Sequence, residues 1–217
     1  MPSSANPVHV GLVVDGVRRW ARQRNVPLAE AYRSAMLRVL TVGNFFFHRG
    51  TQSLSVYLLS KDNLARPPAD LQAALEGETL FLRDDLPCFQ AKWECAVRHA
   101  GTASLLPRSY DDALVQLASK HHNASRTLFV LAAYDPWDEL AAALARDEGE
   151  LMKSLWVPEP LDLIIRTSGE RRLSGFLPLQ SAYAELCFLR KHVNDLTTQD
   201  CGRALRWYLK RHRRFGH

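Results

Sequence analysis

The sequence predicts an α/β fold, a single domain in which helices flank a mostly parallel sheet. Five apolar runs rich in β-branched residues are short enough to be strands, and stretches with helical periodicity separate them. The runs are continuous rather than alternating, which is typical of parallel strands buried on both faces. Because strand and helix alternate without a repeat or linker, we expect right-handed crossovers in one domain spanning residues 1–217.

The elements are assigned in chain order. The predicted strands cover residues 9–15, 54–60, 94–99, 127–134 and 161–166. The predicted helices cover residues 28–48, 68–86, 111–120, 136–155 and 198–214. Asp195 and Thr197 provide capping signals before the last helix. We expect residues 1–7 to be flexible.

The composition excludes several classes of protein. With 47% hydrophobic residues the chain can form a core, which excludes a disordered protein. No apolar run reaches the roughly 18 residues needed to span a bilayer, and no secretory signal precedes the first strand. The four cysteines lack Cys-x-x-Cys spacing, so neither a zinc site nor a disulfide framework is expected. We therefore expect a cytoplasmic protein without stable membrane insertion.

The charge is concentrated in one segment. Six lysine or arginine residues and no acid lie in residues 201–217, so the other 200 residues carry a net charge of −1. A basic tail on a nearly neutral body predicts an anionic ligand at one place. A nucleic-acid binder built on this tail is the alternative, but no recognition motif accompanies it.

Polar clusters follow three of the predicted strands, at residues 15–19, 60–63 and 166–172. Ligands of open α/β sheets bind at the carboxyl ends of the strands, where these clusters meet. Glycine allows close backbone approach, a helix N-terminus offers N–H donors, and arginine binds phosphate oxygens. The sequence therefore predicts a phosphate site at this edge.

Four segments, in the same order along the chain, resemble the cis-prenyltransferases, the undecaprenyl diphosphate synthase family. They are residues 9–20 (HVGLVVDGVRRW), 55–63 (SVYLLSKDN) with Arg66-Pro67, 162–176 (DLIIRTSGERRLSGF) continuing to 186, and 213–216 (RRFG). The resemblance extends over nearly the whole chain. It implies a parallel sheet of about six strands, usually in a homodimer, and an enzyme that joins isoprenyl diphosphates.

The resemblance also implies roles for individual residues. Asp15 matches the aspartate that holds Mg²⁺ and the allylic diphosphate, and Glu185 matches a carboxylate that organises metal across the dimer interface. The first diphosphate would lie against Gly16, Val17, Arg18, Arg19 and Trp20. The second would lie against Arg166, Arg172 and Ser174, with Arg214 and Gly216 reaching in from the partner.

Several positions depart from the chain-elongating pattern. Val17 replaces an amide residue, Leu28 an arginine, and Tyr32 a histidine associated with diphosphate release. With Asn194-Asp195, they resemble the lavandulyl-type branch, which joins two allylic diphosphates head to middle without isopentenyl diphosphate. We therefore expect dimethylallyl diphosphate and a second allylic diphosphate, such as geranyl diphosphate, as substrates. Residues 167–170 (TSGE) have the sequence common among the chain-elongating members, unlike the members that cyclise their product. Whether this product is cyclised therefore stays open.

The catalytic candidates are Asp15, Ser60, Asn63 and Tyr32. Asn63 matches a position associated with orientation of the acceptor. The base that removes the final proton stays open between Ser60, Asp62, Asn63 and the released diphosphate.

Three alternatives stand beside this interpretation. Regular cis elongation with isopentenyl diphosphate is favoured by the intact 166–174 segment. A non-catalytic partner subunit would not need Asp15. An all-helical trans-prenyltransferase or terpene cyclase would need Asp-Asp-x-x-Asp motifs, which the pairs at 84–85 and 111–112 do not form.

Overall fold

The computed structural model describes residues 6–146 and 149–212. Within these ranges six strands form one sheet in the order β3-β4-β2-β1-β5-β6, and every neighbouring pair is parallel. The strands are β1 His9–Val13, β2 Ser53–Ser60, β3 Ala96–Ala100, β4 Thr127–Tyr134, β5 Leu163–Arg166 and β6 Glu185–Phe188. The α/β class and the six-stranded parallel sheet are confirmed.

Helices connect the strands. Those in the described ranges are α1 Val17–Arg24, α2 Leu28–Phe47, α3 Pro68–Leu80, α4 Leu86–Trp93, α5 Arg108–Ala118, α6 Pro136–Leu144, α7 Leu151–Ser154 and α8 Thr198–Leu209. A π-helical turn, Phe81–Asp85, joins α3 to α4 just before Pro87. Proline lacks the N–H of a regular turn, and a π turn accommodates it without ending the helix. None of the described helices combines the length and apolar content needed to cross a membrane.

Alternate side chains of the central strands enter two apolar layers. Leu12 and Ile165 belong to the large cluster under α2, whereas Val13 and Ile164 pack with Phe176 on the other face. A Cβ on Gly11 would lie 2.6 Å from Phe176 Cε1, so glycine is what lets Phe176 cover the sheet here. Burial on both faces explains why these strands read as continuous apolar runs.

The structure differs from the sequence prediction in several segments. The helix predicted at 68–86 continues to Trp93, and that at 136–155 is two helices, α6 and α7. The last helix ends at Leu209 rather than at 214. β6 was absent from the predicted runs, because this edge strand is only partly buried. Of the segment predicted to be flexible, residues 1–5 lie outside the described residues, whereas Pro7 is buried and its carbonyl accepts a hydrogen bond from Thr51 Oγ1 at 2.8 Å.

Candidate active site

A cavity of about 520 Å³ opens at the carboxyl edge of the sheet, beside the ends of β1, β2 and β5. The predicted site residues in its wall are Asp15, Gly16, Val17, Arg18, Arg19, Tyr32, Ser60, Asn63, Arg166, Arg172 and Ser174. The three polar clusters that follow separate strands therefore meet in one site.

The backbone of Asp15 is fixed by a buried threonine. The Asp15 N–H donates to Thr167 Oγ1 at 2.9 Å, and the Thr167 hydroxyl lies 2.9 Å from the Asp15 carbonyl oxygen. Val193 N also donates to that carbonyl at 3.2 Å. These contacts join the end of β1 to the end of β5 and hold the Asp15 carboxylate at the cavity wall.

Two arginines bind the Asp15 carboxylate. Arg166 Nη2 donates to Oδ2 at 3.0 Å, and Arg19 Nη2 lies 3.4 Å from Oδ1. Arg166 is only 5% exposed, and its Nη1 donates to Ser174 Oγ at 2.9 Å and to the Arg172 carbonyl. A buried guanidinium needs such partners, because an unpaired buried charge is strongly destabilising.

Gly16 shapes the loop between β1 and α1. Its φ of 95° lies in the left-handed region, and a Cβ there would be 2.3 Å from His192 Nδ1 and 2.7 Å from Ser168 Oγ. Both conditions require glycine. α1 then begins at Val17 without a side-chain cap, so its first N–H groups are free to bind an anion.

Cations at the mouth of the cavity form exposed ion pairs. Arg18 pairs with Asp70 at 3.0 Å, and Arg19 and Arg172 both pair with Glu170. Exposed pairs of this kind contribute little stability. A diphosphate can therefore replace these carboxylates at small cost.

Ser60 and Asn63 form a reciprocal cap at the end of β2. Ser60 Oγ accepts from Asn63 N at 3.2 Å, and Asn63 Oδ1 accepts from Ser60 N at 3.4 Å. Both residues line the cavity, whereas the neighbouring Asp62 is exposed and outside its wall. The structure thus separates Asp62 from the other two proton-acceptor candidates.

Tyr32 lies on α2 and is 4% exposed. Its hydroxyl accepts a hydrogen bond from Arg66 Nη1 at 3.0 Å. Burial raises the pKa of Tyr32, and the positive charge of Arg66 opposes that rise. The phenol is therefore held neutral beside a cation.

Some wall residues were missed by the sequence analysis: Arg22, Met36, Tyr57 and Glu78. The i, i+4 spacing of Arg18 and Arg22 on α1 could have identified Arg22. Glu78 gave no local signal, because its partner Tyr110 lies 32 residues further along the chain.

Two predicted residues do not reach the cavity. Trp20 is on a different face of α1, where its Nε1 donates to Asp195 Oδ1 at 3.0 Å and its ring packs on the core. Glu185 pairs in register with Leu163, and Leu163 with Val10, so it lies at the amino end of the sheet. Asp15 comes five positions after Val10, beyond the end of β1, and an extended chain covers roughly 16 Å over that stretch.

Glu185 and Asp15 of one chain therefore do not meet; Arg211 is near Glu185 instead, at 3.7 Å. The other predicted contacts, Arg214 and Gly216, lie outside the described residues. In the described ranges no three His, Cys, Asp or Glu side chains form a metal cluster. Mg²⁺ commonly uses one or two carboxylates together with substrate phosphates, and Asp15 in a cationic cavity fits that pattern.

Comparisons with known proteins agree with this fold and identify the family. The undecaprenyl diphosphate synthase family model matches residues 13–216. An isoprenyl transferase of Treponema denticola is 30% identical over 96% of each chain. A tritrans,polycis-undecaprenyl-diphosphate synthase (geranylgeranyl-diphosphate specific) of Methanopyrus kandleri is 34% identical over 97% of this chain and 84% of its own.

Solved structures show the same fold. Lavandulyl diphosphate synthase from Lavandula x intermedia, in complex with dimethylallyl diphosphate, superposes with a TM-score of 0.91 at 24% identity, covering 99% of this chain and 100% of the other. A probable undecaprenyl diphosphate synthase from Campylobacter jejuni superposes with a TM-score of 0.82 at 22% sequence identity. The match covers 97% of this chain and 99% of the other.

A parallel sheet covered on both faces, with an arginine-rich cavity at its carboxyl edge, defines an α/β enzyme that acts on phosphorylated substrates. More particularly, the chain belongs to the undecaprenyl diphosphate synthase family and is a transferase of prenyl groups.

Proposed function

We propose that this enzyme couples two short isoprenyl diphosphates head to middle, joining dimethylallyl diphosphate to a second allylic diphosphate of five or ten carbons. The observation that carries the proposal is the Asp15–Arg166 pair, at 3.0 Å, which shares its cavity with three further arginines. Arg18, Arg19 and Arg172 line this cavity, where they form exposed ion pairs with Asp70 and Glu170. This arrangement offers places for two diphosphates in one cavity.

The features that favour irregular coupling concern the first diphosphate. Leu28 packs against the core cluster instead of supplying a cation to the cavity. Tyr32 supplies a neutral hydroxyl, and Val17 adds an apolar wall beside Asp15. The donor diphosphate would thus be held chiefly by the N-terminus of α1 and its arginines, and by Asp15 only through Mg²⁺.

Mg²⁺ fits at Asp15, where it would neutralise charge on the leaving diphosphate. The chain itself holds the diphosphates through arginines and backbone N–H groups that are already in position, so little reorganisation accompanies the reaction. Val13, Val14 and Leu58 form an apolar wall that keeps water from an allylic cation.

The coupling exchanges one C–O bond for one C–C bond. The allylic C–O bond breaks, and its electron pair leaves with diphosphate. The alkene of the second substrate forms the new C–C bond, and a proton leaves the resulting cation. The amide of Asn63 and the hydroxyl of Ser60 are poor bases and Asp62 faces solvent, so we assign the proton to the released diphosphate. Ser60 and Asn63 then orient the acceptor.

Regular cis elongation is the second candidate. It is favoured by the contacts of Arg166 with Ser174 and Arg172, since these keep the second anion site of the chain-elongating pattern. In that case the acceptor is isopentenyl diphosphate.

A homodimer is part of the proposal. Because Glu185 lies at the far end of the sheet from Asp15, a second copy is needed to bring such a carboxylate to the site. The basic segment with Arg214 and Gly216 would reach the site in the same way. We expect the enzyme to act in the cytoplasm on soluble short-chain substrates.

Incubation with Mg²⁺ and every pair of C5 and C10 diphosphates tests the proposal. Dimethylallyl diphosphate alone, or with geranyl diphosphate, should release diphosphate and yield a branched product by mass spectrometry and NMR. Strict dependence on isopentenyl diphosphate, with a linear cis product, would establish the second candidate instead. The Asp15→Asn variant, assayed at the same Mg²⁺ concentration, should release diphosphate more slowly than the wild type.

A further inference from the structure

Tyr57 is a buried tyrosine of β2 that joins the central strands to the segment following β5. It pairs in register with Val13 of β1 and is only 7% exposed. Its hydroxyl donates to the Ser174 carbonyl oxygen at 3.2 Å, and its ring lies against the ring of Phe176, with centroids 5.4 Å apart. One side chain therefore contacts both ends of the turn formed by residues 174–176.

The backbone of this turn is strained. Ser174 has a φ of 52° and Gly175 a φ of 78°, so two successive residues lie in the left-handed region. A serine adopts this region only where surrounding contacts offset the free energy that it costs. Within the described residues, the Tyr57 hydroxyl is the one hydrogen-bond donor to the Ser174 carbonyl. The conformation of Ser174 therefore depends on Tyr57.

The side chain of Ser174 is part of the anion site. Its Oγ accepts from Arg166 Nη1 at 2.9 Å, while Nη2 of the same guanidinium donates to Asp15 Oδ2 at 3.0 Å. Ser174, Tyr57 and Arg166 all line the cavity. A rotation of the Ser174 backbone would take its Oγ away from Arg166, and the two groups would no longer meet a diphosphate together.

Tyr57 makes its hydrogen bond as a neutral phenol. Burial raises the pKa of Tyr57 to about 12, while hydrogen bonding by the Ser60 side chain and the charge of Arg166 oppose the rise. The hydroxyl therefore keeps its proton at neutral pH and can donate to the Ser174 carbonyl. The bond also satisfies a carbonyl oxygen beside the anion site, where an unpaired carbonyl dipole would repel a diphosphate.

We propose that Tyr57 is a positioning residue for the second diphosphate, because it holds the 174–176 turn so that Ser174 Oγ and Arg166 meet the anion together. The inference rests on the proposed function, which places two diphosphates in the cavity. The hydroxyl proton of Tyr57 is already bonded to Ser174, so Tyr57 acts through the turn rather than on the substrate. Loss of one hydrogen bond between neutral groups corresponds to roughly a 5-fold loss of affinity.

Calorimetry with dimethylallyl S-thiolodiphosphate and Mg²⁺ tests the inference, because the proposed function has a C5 unit in both sites. The wild type should bind two analogue molecules per chain. Tyr57→Phe removes only the hydroxyl, so it should weaken one of the two binding steps by about 5-fold. The other step, at the start of α1, makes no use of the turn and should be unchanged.

Tyr134→Phe is the matched control. Tyr134 packs edge-on against Tyr57, with centroids 5.9 Å apart, but lies outside the cavity wall, and its hydroxyl donates to Glu139 Oε2 at 2.5 Å. Losing that buried bond should lower the urea midpoint of unfolding without changing either binding step, so the control separates lost stability from lost positioning. Equal weakening of binding by the two variants overturns the inference.

A double-mutant cycle identifies the binding step that Tyr57 controls. Ser174→Ala should weaken the same step, and adding Tyr57→Phe to it should have less than about a 2-fold further effect, because both changes act on one contact. Unchanged binding by Tyr57→Phe, or full additivity of the two changes, overturns the inference. Binding of fewer than two analogue molecules by the wild type would instead overturn the head-to-middle proposal, and this inference with it.

Discussion

Arg166 Nη2 donates to Asp15 Oδ2 at 3.0 Å, which joins two residues 151 positions apart at the ends of β5 and β1. Arg166 is buried, while the carboxylate side of the pair opens to the cavity. The arginine therefore holds the carboxylate in one orientation before any substrate enters. Preorganisation of this kind supplies much of the electrostatic stabilisation in enzymes.

Replacing Arg166 with lysine should lower kcat/KM by roughly 10²- to 10³-fold. A lysine carries the charge but cannot bind Asp15, Ser174 and the Arg172 carbonyl together. Steady-state kinetics with the active substrate pair measure the loss. Arg171→Lys is the control, because Arg171 is exposed in the same loop and lies outside the cavity wall; this variant should retain activity. Equal activity of the two variants would show that Arg166 does not hold Asp15 for catalysis.

Thr167→Val should destabilise the protein by about 1–3 kcal/mol, because the valine leaves the buried Asp15 N–H without its acceptor. Urea denaturation measures the free energy of unfolding. The control is Thr41→Val, a partly exposed threonine whose hydroxyl donates to the Leu37 carbonyl one turn earlier, and its effect should stay within about 0.5 kcal/mol. Similar values for the two variants would show that Thr167 does not anchor Asp15.

The pKa of Glu78 predicts a pH dependence of stability. Burial raises this pKa from 4.5 to about 7, so the folded state binds more protons than the unfolded state between those values. Stability attributable to Glu78 is present below pH 4.5 and is lost as the pH rises through about 7. The free energy of unfolding should fall by on the order of 3 kcal/mol across this pH range.

The measurement compares wild type with Glu78→Gln, which cannot titrate. The difference in their unfolding free energies should fall between pH 5 and 8, with the wild type becoming relatively less stable. A difference that rises with pH, or stays constant, would show that Glu78 is ionised throughout.

Removal of divalent metal should abolish turnover, since a single carboxylate and substrate phosphates are the ligands expected for Mg²⁺. Dialysis against EDTA followed by assay measures the loss, and added Mg²⁺ should restore activity. Asp15→Asn should need more Mg²⁺ for half-maximal activity. Full activity in EDTA would exclude a metal at Asp15.

The sequence predicted the central strands well and the edges poorly. β1, β2, β4 and β5 are buried on both faces, so each is a continuous apolar run. The polar clusters predicted after β1, β2 and β5 do converge. β6 is partly exposed, and its four residues carry too weak a pattern.

In the site, a motif indicates which residues are near but not which way each points. Trp20 belongs to the same motif as Arg18 and Arg19, yet the helical rotation turns its ring toward Asp195. Glu78 becomes significant only through Tyr110 and the cavity wall, which are properties of the tertiary structure.

A crystal structure with Mg²⁺ and dimethylallyl S-thiolodiphosphate tests the central claim most directly. The account predicts a diphosphate at the start of α1, with the metal between it and Asp15, and the prenyl group against the apolar part of the cavity wall. A diphosphate bound away from Asp15 and Arg166, with that ion pair unchanged, would contradict it.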